Sequence, residues 1–74
     1  MIYQIDGKKL KQIIKFERNL SLKNISKLSG RYAGYVADCT RRNRLSSDVI
    51  KLLHDKYEIN PARYVIGWKG DLME

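Results

Sequence analysis

Seventy-four residues with 15 Lys/Arg against 8 Asp/Glu, a net charge of +7, leave room for one small basic domain and no second one. A single cysteine (Cys39) and a single histidine (His54) exclude an intrachain disulfide and a Cys/His metal set, so no cofactor or metal is expected, and a lone thiol fits a reducing cytoplasm. No apolar run approaches the roughly 20 residues that span a bilayer, and Met1–Ile5 is too short for the apolar core of a signal peptide, so a cytoplasmic protein without a membrane partner is expected.

In chain order, Ile2-Tyr3-Gln4-Ile5 is β-prone and reads as a short extended arm over residues 1–6. Asp6 is placed to cap a first helix in which Leu10, Ile13, Ile14 and Glu17 recur at helical spacing, with Lys8, Lys9, Lys11 and Lys15 off that stripe. The helix is expected to run to about Arg18 and to break at Asn19. Ser21 caps a second, short helix with Leu22, Ile25, Ser26 and Ser29 facing inward, and Gly30 ends it. A third helix is expected over 32–40, with Tyr35, Val36 and Cys39 on its buried side. Arg41-Arg42-Asn43-Arg44 reads as a basic connector.

Ser46 or Ser47 caps a fourth helix over 48–57, with Val49, Ile50, Leu52, Leu53 and Tyr57 as its apolar face. Asn60-Pro61 opens a last helical turn that Gly67 stops, because proline costs nothing at a first helical position. Residues 68–74 form a tail without a readable pattern. The expected architecture is all-α, five short helices over 8–67 behind an extended arm. His54, alone, reads as a solvated or half-buried side chain rather than a ligand or base.

The charge is unevenly placed. Residues 1–44 carry eleven basic and three acidic side chains, whereas residues 45–74 carry four and five. A field concentrated in one half points to a polyanionic partner, with nucleic acid the common case. No paired carboxylates on one face, nucleophile–base set or phosphate-cradling glycine loop is visible, so an enzyme is not expected.

The second and third helices meet at Ser29-Gly30-Arg31, which is the spacing of a helix-turn-helix. Such a pair needs a small residue where the helices cross (Ser26), a turn that accepts positive φ (Gly30), and apolar residues facing inward (Ile25, Val36, Cys39). The stretch Leu20-Ser21-Leu22-Lys23-Asn24-Ile25-Ser26-Lys27-Leu28-Ser29-Gly30, the pair Tyr35-Val36, and the segments Leu45–Tyr57 and Ile59–Gly67 resemble the Cro and lambda-repressor family over about residues 8–67. The resemblance implies a five-helix lambda-repressor-like domain, binding to double-stranded operator DNA, and a small phage- or prophage-type transcriptional regulator. Such proteins often pair as two-fold dimers, and the arm or Trp68 would be candidate contacts for a homodimer.

Carried over residue by residue, the resemblance places Tyr32, Ala33, Gly34, Ala37, Asp38 and Arg41 on the outward face of the recognition helix, beside the turn residue Arg31. Ser21, Lys23, Arg41, Arg42, Asn43 and Arg44 would meet phosphate. The sequence departs from the family at the reading positions. Ala33, Gly34 and Ala37 cannot hydrogen-bond base edges, and Asp38 accepts only from a cytosine amino group. Arg31 stands where an aliphatic residue is common, and Tyr32 where a small cap is usual. A face of that kind suits a second role, an antirepressor or modulator docking through Arg31, Tyr32, Tyr35 and Asp38 on a partner repressor's helix-turn-helix domain.

Overall fold

The structure, a computed structural model, describes residues 2–70. The chain runs β1 (Ile2–Gln4), α1 (Gly7–Gln12), a π-helical segment (Ile13–Glu17), α2 (Leu22–Leu28), α3 (Tyr35–Arg42), β2 (Arg44–Ser46), α4 (Ser47–Tyr57) and a single 3-10 turn (Pro61–Arg63). The expected all-α, five-helix lambda-repressor-like domain with an extended arm is therefore corrected. Four α-helices are joined by a two-stranded antiparallel sheet, and the fifth helix is reduced to that 3-10 turn.

The physical reason is the arm. Its backbone is not left to solvent but pairs with β2 in the register Ile2↔Ser46, Tyr3↔Leu45 and Gln4↔Arg44. On its other side, Ile5 bridges Val65, the Asp6 N–H donates to the Tyr64 carbonyl at 2.7 Å, and the Ile66 N–H donates to the Gln4 carbonyl at 2.9 Å. An extended segment with unpaired N–H and C=O groups is costly to bury, and this one is satisfied on both edges. Tyr3 also packs against Trp68, the rings tilted at 54° with centroids 5.9 Å apart, so arm and tail hold each other. Residues 71–74 of the expected tail lie outside the described residues.

Three of the caps read from the sequence are present. The Asp6 carboxylate accepts from the Lys9 N–H at 3.1 Å, the Ser21 hydroxyl from Asn24 at 3.3 Å, and the Asn60 side chain from Ala62 at 2.9 Å. Ser46 stands at the N-cap of α4 without a side-chain capping bond. The first helix widens after Gln12, and the Arg18 N–H reaches five residues back to the Ile13 carbonyl at 2.9 Å. Asn19 ends it in the left-handed region, at φ +54°. The wider turn buries Ile13 and Ile14 but leaves Phe16 79% exposed. Glu17 leaves the apolar stripe to form a two-toothed pair with Arg63, at 2.8 and 2.7 Å, which ties the 3-10 turn to the π segment.

The core gathers Leu10, Ile13 and Ile14 from the first helix, Ile25 and Val36 from the next two, and Val49, Ile50 and Leu53 from α4. Ile5, Leu45, Ile59, Tyr64 and Val65, from the strands and the C-terminal segment, complete it. The Tyr64 hydroxyl is buried without a partner among the described residues, and burial pushes its pKa up.

α1 crosses the C-terminal end of α3 at backbone contact. A Cβ on Gly7 would overlap the carbonyl oxygen of Thr40, so only glycine fits there. Asn43, at φ +58°, ends α3 and joins the two elements. Its side-chain oxygen accepts from the Gly7 N–H at 3.0 Å and its carbonyl from the Ile5 N–H at 2.9 Å.

Gly30 has φ +79°, as the turn demands, with open space where a Cβ would stand. Its requirement is conformational only. Gly30→Ala is expected to cost about 1–2 kcal/mol, the ordinary penalty for a side chain in the left-handed region. In a domain of this size that lowers the melting temperature by roughly 4–15 °C in a thermal melt, and an unchanged melt would show that the turn adopts another conformation.

Candidate nucleic-acid interface

α2 and α3 are joined through Ser26. Its side chain is fully buried, and its hydroxyl donates to the Leu22 carbonyl at 2.8 Å while accepting from the Val36 N–H at 2.9 Å. A small inward residue was expected here for space. The structure adds a second reason, since this hydroxyl satisfies one of the unpaired N–H groups at the start of α3 that Gly34, the N-cap, cannot reach. The Ser26 carbonyl in turn accepts from the Arg31 N–H at 3.0 Å and from the Ser29 hydroxyl at 2.7 Å, which shapes the turn.

α3 begins at Tyr35 rather than at residue 32, so the connection spans 29–34. The expected recognition helix is corrected accordingly: Tyr32, Ala33 and Gly34 precede it, and Ala37, Asp38 and Arg41 are the candidates that lie on it. Gly34 and the Tyr32-to-Tyr35 turn, closed by Tyr35 N–H to Tyr32 C=O at 3.0 Å, delay the helix.

The residues at the front of α3 are engaged with one another. The Tyr32 hydroxyl donates to Asp38 Oδ2 at 2.6 Å, and Arg41 forms an ion pair with the same carboxylate. Tyr32, itself 59% exposed, meets Tyr35 edge to face at 5.9 Å. Arg31 lies 4.7 Å above the Tyr35 ring and binds Asp48 at 2.7 Å, a contact that holds the Asp48 carboxyl below its ordinary range. The Tyr35 hydroxyl reaches Ser46 Oγ at 3.2 Å. Arg31, Tyr32, Tyr35 and Asp38 are thus brought together as one aromatic and charged cluster, whereas Ser21 is spent on capping and Lys23 stands exposed on α2.

The expected basic connector is corrected too. Arg41 and Arg42 are the last turn of α3, Asn43 is its left-handed cap, and Arg44 belongs to β2. The cause is that strand pairing leaves no residues over for a loop. Asn43 holds backbone groups of the arm with both its side chain and its carbonyl, while Arg42 and Arg44 remain exposed beside a depression shared with Ile2, Tyr3 and Gln4. No protein-family model, curated protein or solved structure matches the chain.

The sequence reading passed over two residues at this surface. Lys8 and Lys11 line a second depression together with Gly7, Thr40, Arg41 and Asn43, between α1 and the end of α3. Their three-residue spacing places both on one helix face, but nothing local to them shows that α3 crosses beside it. His54 is exposed on α4 beside Asp55, with Nδ1 at 3.1 Å. Among the described residues no three His, Cys, Asp or Glu side chains gather, and no helix is long and apolar enough to cross a membrane.

Proposed function

We propose that the protein is a small helix-turn-helix transcriptional regulator of the phage or prophage type, akin to Cro, that binds duplex DNA through α3 and its flanking basic residues. It would act in the cytoplasm or nucleoid of a bacterial host, by binding and without a catalytic step. The observation that supports this best is the α2–α3 pair locked by the Ser26 hydroxyl, with Arg41 and Arg42 in the last turn of its second helix and Arg44 just beyond. The front of α3 offers Ala37 and an Asp38 already engaged by Tyr32 and Arg41, so contact with phosphates should outweigh base reading.

The test is a titration of the protein's own promoter duplex between ~50 and ~200 mM salt, with and without a phage-type helix-turn-helix repressor. Four or five phosphate contacts should weaken binding by about two orders of magnitude over that range, and Arg42→Ala or Arg44→Ala should each reduce the salt slope by about one. Salt-insensitive binding, or none, overturns the reading.

The Arg31–Tyr35–Tyr32–Asp38 cluster favours a second role, docking on a partner repressor. It presents an exposed tyrosine bonded to Asp38 and set edge to face on Tyr35, the kind of side chain that anchors protein interfaces. Loss of repressor binding on Tyr32→Ala, with DNA affinity unchanged, would select that role.

A further inference from the structure

Lys8 sits in the first turn of α1, where the helix dipole disfavours a cation, two residues after the Asp6 carboxylate that caps the helix. Neither Lys8 nor Lys11 takes part in an ion pair among the described residues, and both are exposed. The nearby Asp6 carboxylate is occupied in capping the Lys9 N–H. Two exposed cations without an ion pair among the described residues thus share one depression with Arg41.

The depression does not end there. Asn43 lines it and also lines the neighbouring one that holds Arg42 and Arg44, so the two adjoin across the α1–α3 crossing. Last-turn arginines suit the C-terminal dipole of α3 without any ligand. Lys8, in the first turn of α1, has no such explanation, whereas Lys11 falls in the last turn of that helix. Together they extend the cationic surface from β2 across the end of α3 and onto α1.

We propose that Lys8 and Lys11 form a phosphodiester-binding site with Arg41, Arg42 and Arg44, so that one backbone strand of duplex DNA lies across the α1–α3 crossing rather than along the front of α3. This rests on the DNA-binding reading above. It assigns the grip on DNA to α1 and the rear of α3, and it makes binding depend on backbone charge more than on base sequence.

A labelled random-sequence duplex of about two helical turns, roughly 20 base pairs, provides the probe. Each phosphate that a cation neutralises adds ~0.9 to the slope of log affinity against log salt. K8Q/K11Q should therefore lower that slope by about 1.8 and weaken binding at ~0.1 M salt by tens-fold. K8R/K11R should keep both. K56Q/K69Q removes the same charge from exposed sites outside the two depressions and should change them much less. Circular dichroism of each variant checks the fold. A wild-type protein that binds the duplex while K8Q/K11Q matches it, or loses no more than K56Q/K69Q, overturns this site and leaves the DNA-binding reading standing. A wild-type protein that does not bind duplex DNA overturns both.

Discussion

Gly7→Ala is expected to lower the melting temperature by roughly 10–25 °C, a loss of about 2–4 kcal/mol in a domain of this size. Alanine is the better helix former, but at the first helical position that advantage is small. Against it stands the Thr40 carbonyl oxygen, which occupies the space a Cβ needs. A backbone atom inside α3 cannot rotate away as a side chain would, so α1 must lift off α3 as a unit. Lifting stretches the Gly7 N–H bond to Asn43 Oδ1 and the Ile5 N–H bond to the Asn43 carbonyl, and with them the seat of the arm. Overpacking of a rigid site costs about 1–3 kcal/mol, occasionally more, before those bonds are counted. Thermal melts followed by circular dichroism decide it. A variant as stable as the parent would show that the two helices do not cross at backbone contact.

Ser26→Val should be comparably damaging, at about 3 kcal/mol or more, for a different reason. The fully buried hydroxyl is the acceptor for the Val36 N–H, and leaving a buried donor unpaired costs ~1–3 kcal/mol. The added methyl must also be housed where α2 crosses α3, at a further ~1–3 kcal/mol. Ser26→Ala separates the two contributions, because it removes the hydrogen bonds without adding bulk and should lose only the first. Urea unfolding of both variants is the measurement. Equal midpoints for serine and alanine would show that the hydroxyl is not the link between the helices, and equal midpoints for alanine and valine that the crossing has room to spare.

The sequence carried the elements whose causes are local. Asp6, Ser21 and Asn60 cap where expected, because a side-chain oxygen needs only the N–H two or three residues ahead. Gly30 has its positive φ for an equally local reason. The expected core residues Ile14, Ile25, Val36 and Leu53 are all fully buried, since periodicity marks the inner face of a helix whatever it packs against. What stayed hidden depends on partners far along the chain. Ile2-Tyr3-Gln4 gives no sign that its mate is Arg44-Leu45-Ser46, and Asn43 looks like a loop residue until the arm arrives to use it. Gly7 looked isolated because the atom it must avoid belongs to Thr40. At the candidate interface, residue types alone identified Arg41, Arg42 and Arg44 as cationic. They did not show that Tyr32 and Arg41 would occupy Asp38, or that Lys8 and Lys11 would stand beside Arg41.

The strand at the start of the chain has a consequence for how the molecule is made. Ile2–Ile5 leave the ribosome ahead of every partner they will have: Asn43 and β2 come much later, and Tyr64 to Ile66 later still. Until then Ile5 has no place to be buried, and the two edges of the strand stay open to water or to other chains. α1, α2 and α3 are built from near neighbours and can form early, whereas closing the long loop to the arm carries an entropy cost that local helices avoid. The arm, made before its partners, is therefore among the last segments to be secured, and the 3-10 turn at Pro61–Arg63, held to Glu17, brings in the segment that secures it.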